Sequence, residues 1–125
     1  MSDESRAVVW RDFDKALANR SYVFQLDLSS QCLKKLPDDI GKLNKVTVVN
    51  LSQNDLNEAS LGEEFFELHN LTSLDLSHNR FKHLPPCLCM FLELQRLDIR
   101  GNDFESPLAQ ADMVRDLFPS CDVVY

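Results

Sequence analysis

Three acidic side chains recur at near-constant spacing in the second half of this chain: Asp75, Asp98 and Asp122. Beside the first of them, Ser77 and His78 complete the residue types of a hydrolytic triad. Arg96, Arg100 and Tyr125 lie in the same half, and Arg and Tyr are types enriched where proteins grip partners. Cys87 and Cys89 form a C-x-C pair. Four chemistries are therefore on offer: a carboxylate file for a cation or a basic segment, a nucleophilic triad, an Arg/Tyr contact surface, and a thiol pair for a metal. The elements that carry these residues decide among them.

Those elements repeat. Units start at Val23, Val46, Leu71 and Leu94, with spacings of 23, 25 and 23 residues. The fourth position reads Leu26, Val49, Leu74, Leu97, and the sixth reads Leu28, Leu51, Leu76, Ile99. The ninth reads Gln31, Asn54, Asn79, Asn102, and the eleventh Leu33, Leu56, Phe81, Phe104. Positions four and six are two apart, so on a strand they face the same way and form a core. Successive strands then stack as a parallel sheet in which each unit contacts its neighbours. The ninth-position amides stand where the chain leaves the strand. There they satisfy buried backbone groups as a ladder, and each group left unpaired would cost about 1–3 kcal/mol. Gln31 breaks the column with a longer amide, which predicts a looser first turn. A tail segment, Phe118 to Val123, fits positions one, four and six of a fifth, partial unit.

This pattern resembles the leucine-rich repeat family, over about residues 22–123. Leu36-Pro37-Asp38-Asp39-Ile40 and Leu84-Pro85-Pro86-Cys87-Leu88 match the L-P-x-x-I/L return segment of its cytosolic members. Repeat two departs from it: Leu56 to Phe65 has no proline and two extra residues, which predicts a convex bulge or a short helical turn at 63–68. The resemblance implies an α/β fold: a short right-handed solenoid with a parallel sheet on its concave face and helical caps at both ends. It also implies a scaffold or regulatory subunit, in a class that serves phosphatases, Ras-type GTPases, dynein motors or ribonucleoprotein particles.

One domain over 1–125 is expected, with a cap helix at 5–20, four repeats at 22–105 and a cap at 106–125. Val9, Trp10, Phe13, Ala16 and Leu17 share one side of the first helix, and Ser5 is its N-cap. The helix covers the open edge of repeat one; docking in a partner's groove through Trp10 is the alternative. Ser106-Pro107 opens the second helix, as N-cap and first helical residue, and Pro119 stops it. Both ends read as closed, the expectation for a self-sufficient small protein.

The formal charge of −7 argues against nucleic acid and anionic membrane as partners. The stretch MSDESRAVV has no cationic region and no long apolar run, so no signal peptide is expected, and no apolar stretch is long enough to span a membrane. Four free thiols in a reducing compartment fit a cytoplasmic or nuclear protein; Cys87-x-Cys89 has no second pair at ligand spacing. Positions three, five, seven and eight face out of the sheet. The expected partner-binding face therefore holds Asn50, Gln53, Asp75, His78, Arg96, Asp98, Arg100, Asp122 and Tyr125, weighted toward its C-terminal end. The triad reading fails on spacing: alternation puts Asp75 and Ser77 side by side on an open sheet, with no oxyanion hole. A non-catalytic protein-binding module without cofactors, monomeric by itself, is the expectation. Two rivals remain: a cation or small-ligand site on the Asp file, which is otherwise a solvated file offset by Arg96 and Arg100, and self-assembly through Leu88–Phe91 with Phe65-Phe66.

Overall fold

The structure, a computed structural model, describes residues 4–125. Its central feature is one parallel sheet of six short strands in sequential order. They are β1 (Val9–Trp10), β2 (Gln25–Asp27), β3 (Val48–Asn50), β4 (Ser73–Asp75), β5 (Arg96–Asp98) and β6 (Asp122–Val124). In β2 to β4 the middle residue is buried and its two neighbours are half-exposed, as alternation requires. Leu26, Val49, Leu74 and Leu97 pair across the strands, so the fourth column stacks in register. The sixth column (Leu28, Leu51, Leu76, Ile99) is at most 1% exposed and lies in the same core.

Repeats one to three return through a 3-10 turn on the convex side: Ile40–Lys42, Glu63–Glu67 and Pro86–Met90. Phe65, Phe66 and Phe91 meet there, with ring centroids 5.3 to 5.6 Å apart. This corrects the self-assembly reading. Phe65, Phe66, Leu88 and Phe91 are internal, and of the group only Met90 presents much apolar surface to water.

The N-terminal segment is also corrected. In place of one helix over 5–20 there are two short ones, α1 (Glu4–Ala7) and α2 (Phe13–Ala18), with β1 between them. Ser5 falls inside α1, and Asp12 caps α2 by accepting from the Lys15 N–H. The cause is the edge of β2. A helix laid over it would cover side chains and leave a row of backbone N–H and C=O groups unpaired. The two-residue strand β1 pairs with them, Val9 opposite Gln25 and Trp10 opposite Leu26. Trp10 is therefore a half-buried strand residue packed on the core. At the other end, Ser106 accepts from the Ala109 N–H and opens α3 (Pro107–Leu117), which buries Ala111 and Val114.

The terminal strand carries a third correction. Val123 pairs with Leu97, so it occupies position four, where the sequence spacing put it at six. Asp122 then stands at position three beside Arg96, and Val124 at five beside Asp98. The backbone bonds agree: Asp122 N–H donates to Gln95 C=O, as Arg96 N–H does to Thr72 C=O one repeat earlier. The eleven-residue helix α3 replaces the 3-10 return of the other repeats, so counting by their spacing misplaces the strand by two residues.

Candidate interaction face

The concave face is built from two rows of side chains that flank the buried fourth column. Row five holds Asp27, Asn50, Asp75 and Asp98, on strands about 4.8 Å apart. Every member does the same local job. An oxygen of each accepts the backbone N–H two residues on, at 2.9 to 3.1 Å, from Ser29, Ser52, Ser77 and Arg100 in turn. These are Asx turns that carry the chain out of each strand. They free the next residue but one, position eight, to take a left-handed conformation: Ser30, Gln53, His78 and Gly101 all have φ between 55° and 70°. Glycine suits this conformation at Gly101, and a Cβ there would press on the His78 ring, which would have to turn aside.

The carboxylate file is thus a structural device, and it is shorter than its spacing implied. Asp122 has moved to row three, so the file ends at Asp98. Asp98 is 4% exposed, and Arg100 grips it with a two-pronged contact, Nε to Oδ1 at 3.1 Å and Nη2 to Oδ2 at 2.7 Å. Burial pushes the Asp98 carboxyl up, but the Arg100 side-chain bonds, its backbone N–H and its charge outweigh that and hold it below the usual aspartate range. Asp75 accepts from Ser77 Oγ at 2.6 Å, and Ser77 is 4% exposed. The triad types are therefore close in space but wrongly connected: the serine is tied to the aspartate, and His78 packs outward over Gly101.

Row three holds Gln25, Val48, Ser73, Arg96 and Asp122. Gln25 is committed to the N-terminal segment, donating to the Arg6 carbonyl at 2.6 Å. Tyr125 is not on this face. Two residues past Val123, it projects as position six does and stacks under Arg115 of α3, 5.0 Å from the ring centroid.

Below the rows runs the amide ladder. Asn54 Oδ1 accepts from Gln31 N–H and Leu33 N–H, and its Nδ2 donates to the carbonyls of Leu28, Leu51 and Ser52. Asn79 and Asn102 repeat this one and two strands on, accepting from Leu56 N–H and Phe81 N–H. Gln31 steps out of the ladder, is exposed, and donates to the Arg11 carbonyl.

A family model for leucine rich repeats matches residues 59–104. The chain is a leucine-rich repeat protein. The mouse leucine-rich repeat serine/threonine-protein kinase 1 is 35% identical over 100 residues, which is 77% of this chain and 5% of that protein. The chain thus spans a small fraction of the kinase it resembles. A leucine-rich repeat protein of Leptospira interrogans superposes with a TM-score of 0.72 at 29% identity, over 87% of this chain and 27% of its own. A chain from the Chaetomium Mex67:Mtr2 subunits shares the fold, with a TM-score of 0.60 at 21% identity over 90% of this chain and 89% of that one.

Two features of this leucine-rich repeat face escaped the spacing argument. The Asx turns were signalled by Asp27/Ser29, Asn50/Ser52 and Asp75/Ser77, acid or amide followed two residues on by serine. The left-handed column was signalled by Gly101 alone, because Ser, Gln and His at the same position carry no such mark. Among the described residues, no helix is long and apolar enough to cross a membrane.

Proposed function

We propose that the chain is a non-catalytic protein-interaction module whose concave face holds its partner along row three. One observation carries this. Once the groups used internally are set aside, Val48, Ser73, Arg96 and Asp122 remain as a stripe across four adjacent strands. Among the described residues none of their side chains makes a hydrogen bond or an ion pair. A surface that occupies the carboxylates of row five internally yet leaves the neighbouring row free is suited to contact. Arg96 supplies a residue type enriched at the centre of such contacts. His78 and Gln53, exposed on their left-handed turns, extend the stripe along one margin. Likeness to leucine-rich repeat proteins supports the same class of function. A scaffold or regulatory role in the cytoplasm or nucleus fits this reading, with a protein partner, no nucleic acid, no membrane and a monomeric module.

The test compares the wild-type chain with Val48→Arg/Arg96→Glu, each shown to be folded by circular dichroism. Arg100 is left alone because its loss would strand the buried Asp98 carboxylate. Partners captured from a lysate by the wild type should be lost by the double variant. Hydrogen exchange in the complex should slow on β3 to β6. Equal capture by both, or protection away from those strands, overturns the reading.

A further inference from the structure

Repeat two departs from the return pattern of its neighbours, and the departure has built something. Its extra residues form a turn of their own: Ser60 N–H donates to the Asn57 carbonyl, and Ala59 N–H to the Asn57 side chain. Ser60 Oγ then donates to the Lys34 carbonyl of repeat one at 2.6 Å, fixing the turn against it. Deeper in, the two return segments press together. A Cβ added at Gly41 would stand 2.8 Å from the Glu64 carbonyl oxygen. Between the fixed turn and this close approach lies an open groove of about 410 Å³ on the convex side. Pro37 and Ala59 line it, along with Asp38, Glu63 and Glu64, against the single cation Lys35. Among the described residues none of these three carboxylates has an ion-pair partner, whereas nearby Asp39 and Asp55 are paired with Lys42 and Arg80.

We propose that this convex groove is a second interaction site, taking an arginine or lysine side chain presented by an extended segment of a partner protein. The assignment rests on charge complementarity and shape. Three unpaired carboxylates around one lysine leave a net negative rim. A long basic side chain can lay its methylene stem over Pro37 and Ala59 while its charged head reaches that rim. The groove faces away from the row-three stripe, so the two sites can be occupied and tested independently.

The probe is a fluorescein-labelled peptide, acetyl-Ala-Arg-Ala-Arg-Ala-amide, with its double glutamine analogue as control. Anisotropy is read at low ionic strength, where exposed charges are least screened. The arginine peptide should bind and its glutamine analogue should not. Asp38→Asn/Glu63→Gln/Glu64→Gln should weaken binding about 10-fold, since exposed ion pairs are each worth a small factor. Gly62 provides a test that leaves every charge in place. Its φ is −74°, and nothing lies within 4 Å of a Cβ built there, so Gly62→Trp can place a bulky ring at the groove lining without backbone strain. It should also weaken binding about 10-fold or more. Ala59→Trp is the second filler should Gly62→Trp unfold. A control with equal charge removed elsewhere, Asp103→Asn/Glu105→Gln/Asp116→Asn, should change affinity less than about 2-fold. Absence of binding, equal binding of the glutamine peptide, full affinity in both fillers, or equal weakening by the control would each overturn the proposal.

Discussion

Truncating Asn79 and Asn54 to alanine should not cost the same, although the two are 5% and 6% exposed and hold equivalent ladder positions. The difference follows from which partners keep another bond. Asn79 donates to the carbonyls of Leu51, Leu76 and Ser77. After truncation Leu51 C=O still accepts from Asn54, Leu76 C=O from Asn102, and Ser77 C=O from Gln53 N–H. Only the Leu56 N–H is orphaned, so Asn79→Ala should cost about 1–3 kcal/mol, the price of one buried unpaired donor. Asn54→Ala orphans more. Gln31 N–H, Leu33 N–H and Leu28 C=O lose the side-chain oxygen or nitrogen that served them. Discounting Gln31, which lies near water, two groups remain, and about twice the Asn79→Ala cost, about 2–6 kcal/mol, is expected. Equilibrium urea unfolding followed by circular dichroism measures both, with the slope checked so that a shifted midpoint means changed stability. If Asn79→Ala costs as much as Asn54→Ala, or either is neutral, the carbonyls are not shared along the ladder as the geometry requires.

Three further outcomes are expected. Leu76→Ala should destabilise by about 2–5 kcal/mol, because Leu76 is fully buried between its neighbours in the sixth column, and a loss under about 1 in the same urea assay would remove it from the core. Asp98 has a depressed folded value, so its contribution is present above the ordinary aspartate value and is lost as pH falls through the lower folded one. Arg100→Gln leaves the burial that pushes the carboxyl up, the backbone N–H at 100 and the Arg96 charge, and removes the guanidinium bonds and charge that do most to hold it down. Asp98 should then titrate at higher pH by carboxyl NMR, and acid unfolding should begin earlier; unchanged titration would refute the pairing. Gly101→Ala should cost at least about 1–2 kcal/mol for the left-handed backbone, plus the clash with His78. Adding His78→Ala should recover the second part only, a pattern that thermal unfolding of the single and double variants can read.

The repeat columns were legible in the sequence because each is a local rule applied four times. Strand alternation makes Leu26, Val49, Leu74 and Leu97 core residues in any register that keeps their neighbours wet. The ninth-position amide answers a need that every turn out of the strand creates. Those rules are short-ranged, so spacing alone yields the sheet, its strand order and the amide ladder. The site was less legible. Row five reads as a row of exposed charges until the Asx turns show each carboxylate already occupied, and the free stripe in row three emerges only by subtraction.

What the tertiary structure alone decided lies at the ends and at the irregular repeat. Val9 and Trp10 carry an apolar pattern that suits a helix, but the unpaired edge of β2 recruits them as a strand, a demand made by residues sixteen positions away. Val123 takes position four because α3 has a different rise per residue from the 3-10 turns it replaces. That shift moves Asp122 between rows and takes Tyr125 off the concave face. The convex groove is lined by the extra turn of repeat two, which hydrogen-bonds to Lys34 of repeat one. In each case the deciding force is a long-range hydrogen bond or packing contact, and a periodic pattern records only what each unit needs from itself and its neighbours.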